Sequence, residues 1–526
     1  MNNPLFLEIK KRFETNDLVG AEILCLKVYE QDKKNIHAIK NLALAYLLQK
    51  KFHPALIMYL EAFKIDSQDS DVCSNLAYLY KEAEDYKIAI EYAEFSISSN
   101  PDNALPYKLL GEIFLKLRDF NKAKEYLELS LKKAEGKRHL IPFIQELNNR
   151  YIETLSALNE NDKALDYIKK TIKSFSIVDP DVLTYQIRFF PTSTSEGHIE
   201  EAKEVFKKFI ISSDNKLLRQ AANYASALAH YYQYKNDLTK SEDYFLKMNE
   251  IVSSVQDFRP LEAQKNIKNI IRSFNNLPSL SLSENFGKEM IFIVGMPRSG
   301  TTLLESIVAN PDIVATGGEL GSFKNMVQFD VTTFAKGNEK QIISYLSQYM
   351  QKMKFLLKEK KFLIDKLPFN IFLIGFIIKL LPGAKIILMN REPWANAISL
   401  FKEVYIDRHF YSTKFFNIAM QIANFNFCRH YWLEEFKNHP NILELNYDDL
   451  VKNNETLTPK IYEFLGIDHK LNLETRKKFY SNTSSFSQVK KDIGKTNSPN
   501  KMFDGFKKQF FIDLEDQSKY WLNTSI

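Results

Sequence analysis

The sequence predicts a two-part chain, multidomain α + α/β: an N-terminal helical solenoid followed by a P-loop-like doubly wound parallel sheet. Three observations predict it. Small residues recur at a fixed step through residues 1–135. Strand-like and helix-like segments alternate after residue 289. Residues 291–302 read Ile-Phe-Ile-Val-Gly-Met-Pro-Arg-Ser-Gly-Thr-Thr, a buried-strand run that breaks into a glycine-bracketed turn and then a helix.

The repeat comes first along the chain. Ala21, Ala55, Ala89 and Ala123 are separated by 55−21, 89−55 and 123−89, which is 34 residues each time. Ala43, Ala77 and Gly111 keep the same step, and Tyr29, Phe63, Ile97 and Leu131 stand eight after the alanines. Small residues at this period suit paired helices that cross closely, and Pro101 falls where a second helix must stop. The pattern resembles the tetratricopeptide repeat. It loosens after residue 135, with Ala164 and Ala202 marking degenerate copies over 136–270. A helical domain over 1–275 is expected. Residues 276–288 gain serine, proline and glycine and read as a linker, leaving 289–526 for the sheet domain.

Composition narrows the class. At 526 residues the chain exceeds one ordinary core. Its 45% hydrophobic and 26% charged residues are globular values, and 71 basic against 65 acidic residues give a mild +6. That balance makes no case for nucleic acid. Cys25, Cys73 and Cys428 are far apart, which speaks against a disulfide framework and a zinc site. The first residues carry acid and lysines where a signal peptide needs an apolar core, and the longest apolar run is cut by Asn370 and Lys379. A soluble cytoplasmic protein without a membrane span or metal is expected.

In the second part, strands are expected at 290–294, 362–364, 385–389 and 442–445. Helices are expected at 302–309, 372–381, 394–405 and 415–436. The first turn has the frame Gly295-x4-Gly300-Thr301-Thr302, with Thr301 where a nucleotide-hydrolase loop has lysine and the cation moved to Arg298. Glycine lets the backbone N–H groups point inward, and the following helix adds unpaired N–H groups and its positive dipole end. Ser299, Thr301 and Thr302 offer hydroxyls, and Arg298 offers a planar fork.

Other strand ends carry matching chemistry: Thr316-Gly317-Gly318-Glu319, then Asp365-Lys366-Leu367-Pro368-Phe369-Asn370. Arg391 follows, with Ser399 on the next helix, and last comes Asn446-Tyr447-Asp448-Asp449. Taken singly, Glu319 reads as a solvated loop acid, Ser399 as a helix surface residue and Arg391 as a salt-bridge partner. His430 reads as structural, and Phe425, Phe427, Tyr431 and Trp432 read as core. Together, around an anion loop, they describe a polyanion site.

The set resembles the sulfotransferase superfamily, most closely its tyrosylprotein-sulfotransferase-like branch joined to tetratricopeptide repeats. Residues 297–302 look like its 5′-phosphosulfate loop, and Arg391 with Ser399 like its 3′-phosphate pair. Glu319 falls at the catalytic base and Lys366 at the catalytic lysine. Arg298 falls at the phosphosulfate-holding arginine and Tyr447 at a nucleotide-contacting tyrosine. Ser485 and Lys501 resemble the C-terminal loop that closes over the 3′-phosphate.

The resemblance implies sulfuryl transfer from 3′-phosphoadenosine 5′-phosphosulfate, without metal, to an acceptor hydroxyl. The product nucleotide would be adenosine 3′,5′-bisphosphate. Protein tyrosine, carbohydrate and small-molecule acceptors stay open, with a polypeptide in the repeat groove as candidate partner. A P-loop kinase or nucleotide hydrolase with Asp365 on magnesium, and a non-catalytic repeat scaffold, are the alternatives. Two positions depart from the family pattern. Glu403 stands where a further arginine is expected, leaving Lys402 or Lys501 to grip the 3′-phosphate. Gly318-Glu319-Leu320-Gly321 lacks the arginine that orients an acidic acceptor peptide.

Overall fold

A computed structural model describes residues 4–137, 140–174, 180–310, 312–328, 339–406, 408–467 and 502–524. It divides into two compact units, Met1–Thr154 and Leu155–Ile526. Among the described residues no helix is long and apolar enough to cross a membrane.

The first unit is a helical solenoid whose register is visible in its helix starts. Helices begin at Leu18, Phe52, Tyr86 and Phe120, and their partners begin at Ile36, Ser70 and Ala104, each 34 residues after the last. Ala21, Ala55, Ala89 and Ala123 are fully buried, as the close crossing requires. A Cβ on Gly111 would meet Leu127 Cγ at 2.7 Å, so a smaller residue than alanine is needed there.

Each repeat also reuses one turn. Asn16, Lys50, Glu84 and Arg118 all adopt positive φ, between 55° and 59°. The next N–H reaches back across the turn to a helix carbonyl, Lys51 to Tyr46, Asp85 to Tyr80 and Asp119 to Phe114, each at 2.9 Å. This closes the preceding helix in the left-handed manner usually served by glycine. Asp17, Asp85 and Asp119 then cap the following helix by accepting from Gly20, Ile88 and Lys122 N–H.

The second unit contains helices Asn161–Ser174, Pro180–Phe189, Glu196–Ile210, Asn215–Tyr234, Leu238–Val255 and Pro260–Asn275, followed by the sheet. The strands are β1 (Met290–Gly295), β2 (Val314–Thr316), β3 (Phe362–Asp365), β4 (Lys385–Asn390) and β5 (Ile442–Asn446). They lie in the order β2-β3-β1-β4-β5, all parallel. All carboxyl ends therefore share one edge. The order reverses at β1, whose end opens between β3 and β4, the usual ligand crevice of such sheets.

The strand period of two sorts the core. Met290, Phe292 and Val294 enter one layer with Phe376, Trp432, Phe245 and Phe274, while Ile291 and Ile293 enter the other with Leu304, Val308, Leu450 and Tyr462. The helices from Pro180 to Asn275 thus share a core with the sheet. Phe274 sits edge-on to Trp432 at 4.9 Å, and a Cβ on Gly375 would strike Trp432 at 2.4 Å. The change from helices to sheet falls at 276–289, but the boundary between compact units lies well upstream of it.

All four expected strands form, and β2 is an addition too short to announce itself by periodicity. The expected helix 394–405 spans Pro393–Phe401, and the one at 372–381 spans Ile374–Leu380 behind a 3-10 segment, Pro368–Leu373. Early termination at Phe401 matters below, because it frees Glu403 from the helix axis.

Glycine at Glu84 removes the cost of left-handed backbone on a residue with a Cβ. Glu84→Gly is expected to strengthen the helices on either side of this turn by about 0.5–1 kcal/mol. Hydrogen exchange of Ser70–Glu82 and Tyr86–Ser99 under low denaturant would register this as slower opening.

Candidate anion-binding and transfer site

The loop after β1 is built around close backbone approach. Gly295 has φ +151°, and a Cβ there would lie 2.4 Å from the Met389 carbonyl oxygen on β4. Gly300 has φ +96° and starts the helix Thr301–Val308; its Cβ would lie 2.4 Å from the Tyr447 ring. Both glycines are therefore obligatory. Arg298, between them, is itself left-handed at φ +69°. Ser299, Thr301 and Thr302 are buried.

Arg391, just past β4, donates through Nη1 to the Arg298 carbonyl at 2.7 Å and lies 4.4 Å over the Tyr447 ring. Burial, with Arg298 nearby, holds its guanidinium below the ordinary range. A bound anion would reverse that penalty. Arg391 Nε and Ser299 Oγ are buried and have no hydrogen-bond partner among the described residues. Buried donors of this kind are costly unless a ligand satisfies them. They fit the oxygens of an anionic group.

The Arg298 side chain turns inward. Its Nε donates to Ser399 Oγ at 3.0 Å, and Nη2 pairs with Glu403 Oε1 at 3.2 Å. Asn396 fixes the loop further by donating to the Pro297 carbonyl at 3.0 Å. Beside Arg391 an open cleft is lined by Asn390, Pro393, Asn426, Arg429 and Asn446.

The neighbouring strand end carries the acid–base pair. β3 ends at Asp365, and Lys366 N–H continues the ladder by donating to the Gly318 carbonyl at 2.8 Å. Lys366, fully buried, donates through Nζ to Glu319 Oε1 at 2.7 Å, while the Glu319 side chain is 40% exposed. Burial pushes the Glu319 carboxyl up. The charge and hydrogen bond of Lys366, helped by Arg408 and His409, outweigh it and hold the group at about 2. Asp365 is buried and accepts from Asn370 Nδ2 at 3.4 Å.

Of the residues singled out in the sequence, Arg298, Ser299, Gly300, Thr301, Thr302, Arg391, Ser399 and Tyr447 gather at the ends of β1, β4 and β5, and Glu319 meets Lys366 beside them. Ser485 and Lys501 lie outside the described residues. His409 and Arg188 were not anticipated. His409 stacks on Phe369 at 5.3 Å, and burial first, then the charge of Arg408, pulls its imidazole down to about 4 against the attraction of Glu319. It belongs to no motif, and its left-handed backbone is visible only in the structure. Arg188 lies on a repeat helix, and nothing in its neighbours in sequence points to the sheet.

A P-loop-like parallel sheet with an arginine-bearing anion loop and a Lys–Glu pair at adjacent strand ends defines an anion-binding transfer fold. Residues 290–470 match the sulfotransferase family, and residues 70–103 and 107–132 match the tetratricopeptide repeat. The chain thus carries a sulfotransferase-family domain behind a repeat array. An uncharacterized protein of Aquifex aeolicus is 23% identical over 399 residues, 72% of this chain and 50% of its own length. The human tetratricopeptide repeat protein 21A is 25% identical over 196 residues, 32% of this chain and 14% of its own. The chain therefore spans half or less of these relatives. A tetratricopeptide repeat protein from Parabacteroides merdae covers 47% of this chain and 92% of its own at 16% identity, with a TM-score of 0.34.

Because Glu319 is depressed from 4.5 to about 2, the stability it contributes is fully present above pH 4.5 and is lost as pH falls through about 2. Lys366→Met removes the counter-charge. The variant should be less stable than the parent at neutral pH, and the difference should shrink as pH drops below 4.5. Denaturant midpoints at each pH check this; a gap that widens in acid contradicts the assignment.

Proposed function

We propose that the second unit transfers a sulfuryl group from 3′-phosphoadenosine 5′-phosphosulfate to an acceptor hydroxyl, with the phenol of a protein tyrosine as the acceptor class. The observation that carries this reading is the 2.7 Å pairing of Lys366 with Glu319 beside the anion loop. A buried ammonium next to a rim carboxylate supplies a charge for a leaving oxygen and an acceptor for a proton.

The donor would supply a sulfuryl group already activated by its anhydride link to phosphate. The residues that would hold it are the N–H groups of loop 296–300, Ser299, Thr301 and Thr302 at the phosphosulfate end. Arg391 and Tyr447 would take the nucleotide end with Ser399, with Ser485 and Lys501 contributing from the C-terminal segment. Arg298 would fix the loop. Metal is not required in this scheme, since arginine, lysine and backbone N–H groups carry the neutralisation.

Glu319 Oε1 accepts from Lys366, so Oε2 is the oxygen that would take the acceptor's proton. At about 2 the resting carboxylate is a weak base. It strengthens when the Lys366 charge is shared with an anion, so donor binding would arm the base. That order protects against an active base in the empty site. Phe369 and His409, stacked beside this pair, offer a planar apolar wall suited to a phenol.

The test is incubation with sulfur-labelled donor and cell extract, followed by identification of the labelled product as tyrosine-modified protein, glycan or small molecule. Label on a glycan or metabolite would replace the acceptor named here; no transfer at all would overturn the activity. Glu319→Gln is expected to keep nucleotide binding and lose turnover by about two to four orders of magnitude. Arg391→Ala should weaken adenosine 3′,5′-bisphosphate far more than adenosine 5′-monophosphate in calorimetric titration; equal weakening would remove Arg391 from the 3′-phosphate.

A further inference from the structure

We infer that Glu403 is a positioning residue for the anion loop, and that Arg188 of the helical array is its second anchor. The catalytic loop is thereby completed by a helix that precedes the sheet in the chain. The inference concerns the shape of the loop and deepens the reading above, on which only its consequence for nucleotide binding rests.

The geometry is a bridged carboxylate. Glu403 Oε2 pairs with Arg188 Nη2 at 2.6 Å, and Oε1 pairs with Arg298 Nη2 at 3.2 Å. The Glu403 side chain is 7% exposed, Arg298 3% and Arg188 21%. Burial pushes the carboxyl up, and the charges of Arg188 and Arg298 pull it lower overall. Lys402 and His230 also face this cluster. His230 is partly buried, has a buried Nε2 without a hydrogen-bond partner among the described residues, and is held neutral by burial and by Arg188.

Arg298 is a non-glycine residue in left-handed backbone. Such a conformation persists only where its surroundings over-determine it. Here three contacts do so: Ser399 on Nε, Glu403 on Nη2 and Arg391 on the carbonyl. Of these, Glu403 alone brings negative charge to a buried guanidinium. A further arginine at 403 would face Arg188 and Arg298 without compensation. The departure from the family pattern at this position is explained by the helical array, because Arg188 and Glu403 work as a pair across 215 residues of sequence. Helix termination at Phe401 allows it, since Glu403 lies beyond the last helical turn and is free to turn inward.

The test is hydrogen exchange of residues 296–302 in the full-length protein for Glu403→Gln, Arg188→Met and the double variant, with global stability followed by denaturant. Glu403→Gln should speed exchange in the loop about tenfold or more relative to the strands of the same sheet. Arg188→Met should speed it about threefold or more, and should add nothing in the Glu403→Gln background. Arg188→Lys should restore part of the protection.

Loop exchange unchanged in Glu403→Gln, or effects of the two substitutions that simply multiply, would overturn the inference. So would acceleration spread evenly over the sheet, since that would indicate only a weakened core. Titration with adenosine 3′,5′-bisphosphate separates this result from the functional reading. Wild type failing to bind defeats the donor assignment while the exchange result still decides the role of Glu403. Where wild type binds, Glu403→Gln should weaken the nucleotide about tenfold.

Discussion

Burying positive charge is the constraint around which the second unit is organised. The carboxyl ends of a parallel sheet bring Arg298 and Arg391 together, and the helical array adds Arg188. Guanidinium groups taken out of water must be paired or must wait for an anion. Both solutions are used. Glu403 neutralises Arg298 from within, so that the loop holds its strained shape. Arg391 Nε has no partner among the described residues, and Tyr447 lies beneath the guanidinium. One guanidinium is paired internally and the other keeps an open donor among the described residues.

The same logic separates the two strand ends on either side of β1. At β4 the cleft is lined by Arg391 and Arg429 together with one carboxylate, Glu392, which is engaged in capping the next helix. At β3 the positive charge of Lys366 is already answered by Glu319, whose carboxyl is held far below its usual range. An anion drawn to the first end would share the ammonium charge at the second. Electrostatic preorganisation of this kind serves transfer of charged groups well, because the donors need not reorganise as charge moves.

The helical array divides into two functions. In the first unit the turns repeat so regularly that the left-handed residue and the reach-back hydrogen bond return at one spacing, and the aspartate cap returns at every turn but the one led by Lys51. Those helices are specified locally, by nearest neighbours. From Asn161 onward the helices give up regularity and pack on the sheet, as Phe274 does against Trp432 and Phe245 within the shared core. Loss of repeat regularity is what packing on a non-repeating surface requires, since each helix meets a different neighbour. The weaker pattern of residues 136–270 has this physical cause.

Much was legible in advance. Gly295, Gly300 and the hydroxyl residues follow from rules that act over a few residues, backbone freedom and helix N-termini, whereas Glu319, Lys366 and Arg391 stood out only by their joint place at successive strand ends and by the family resemblance. The 34-residue step did the same for the solenoid, because each turn is made within its own repeat. β2 escaped notice because three residues hold too little periodicity to read. His409 and Arg188 were invisible for a different reason. Their roles come from what lies opposite them in space, Phe369 in one case and Glu403 in the other. The chain alone determined the two architectures and most of the anion loop, since those depend on local backbone chemistry. Only the tertiary structure decided which arginine would be neutralised and which left receptive, because pairing buried charges depends on distances that sequence separation does not measure.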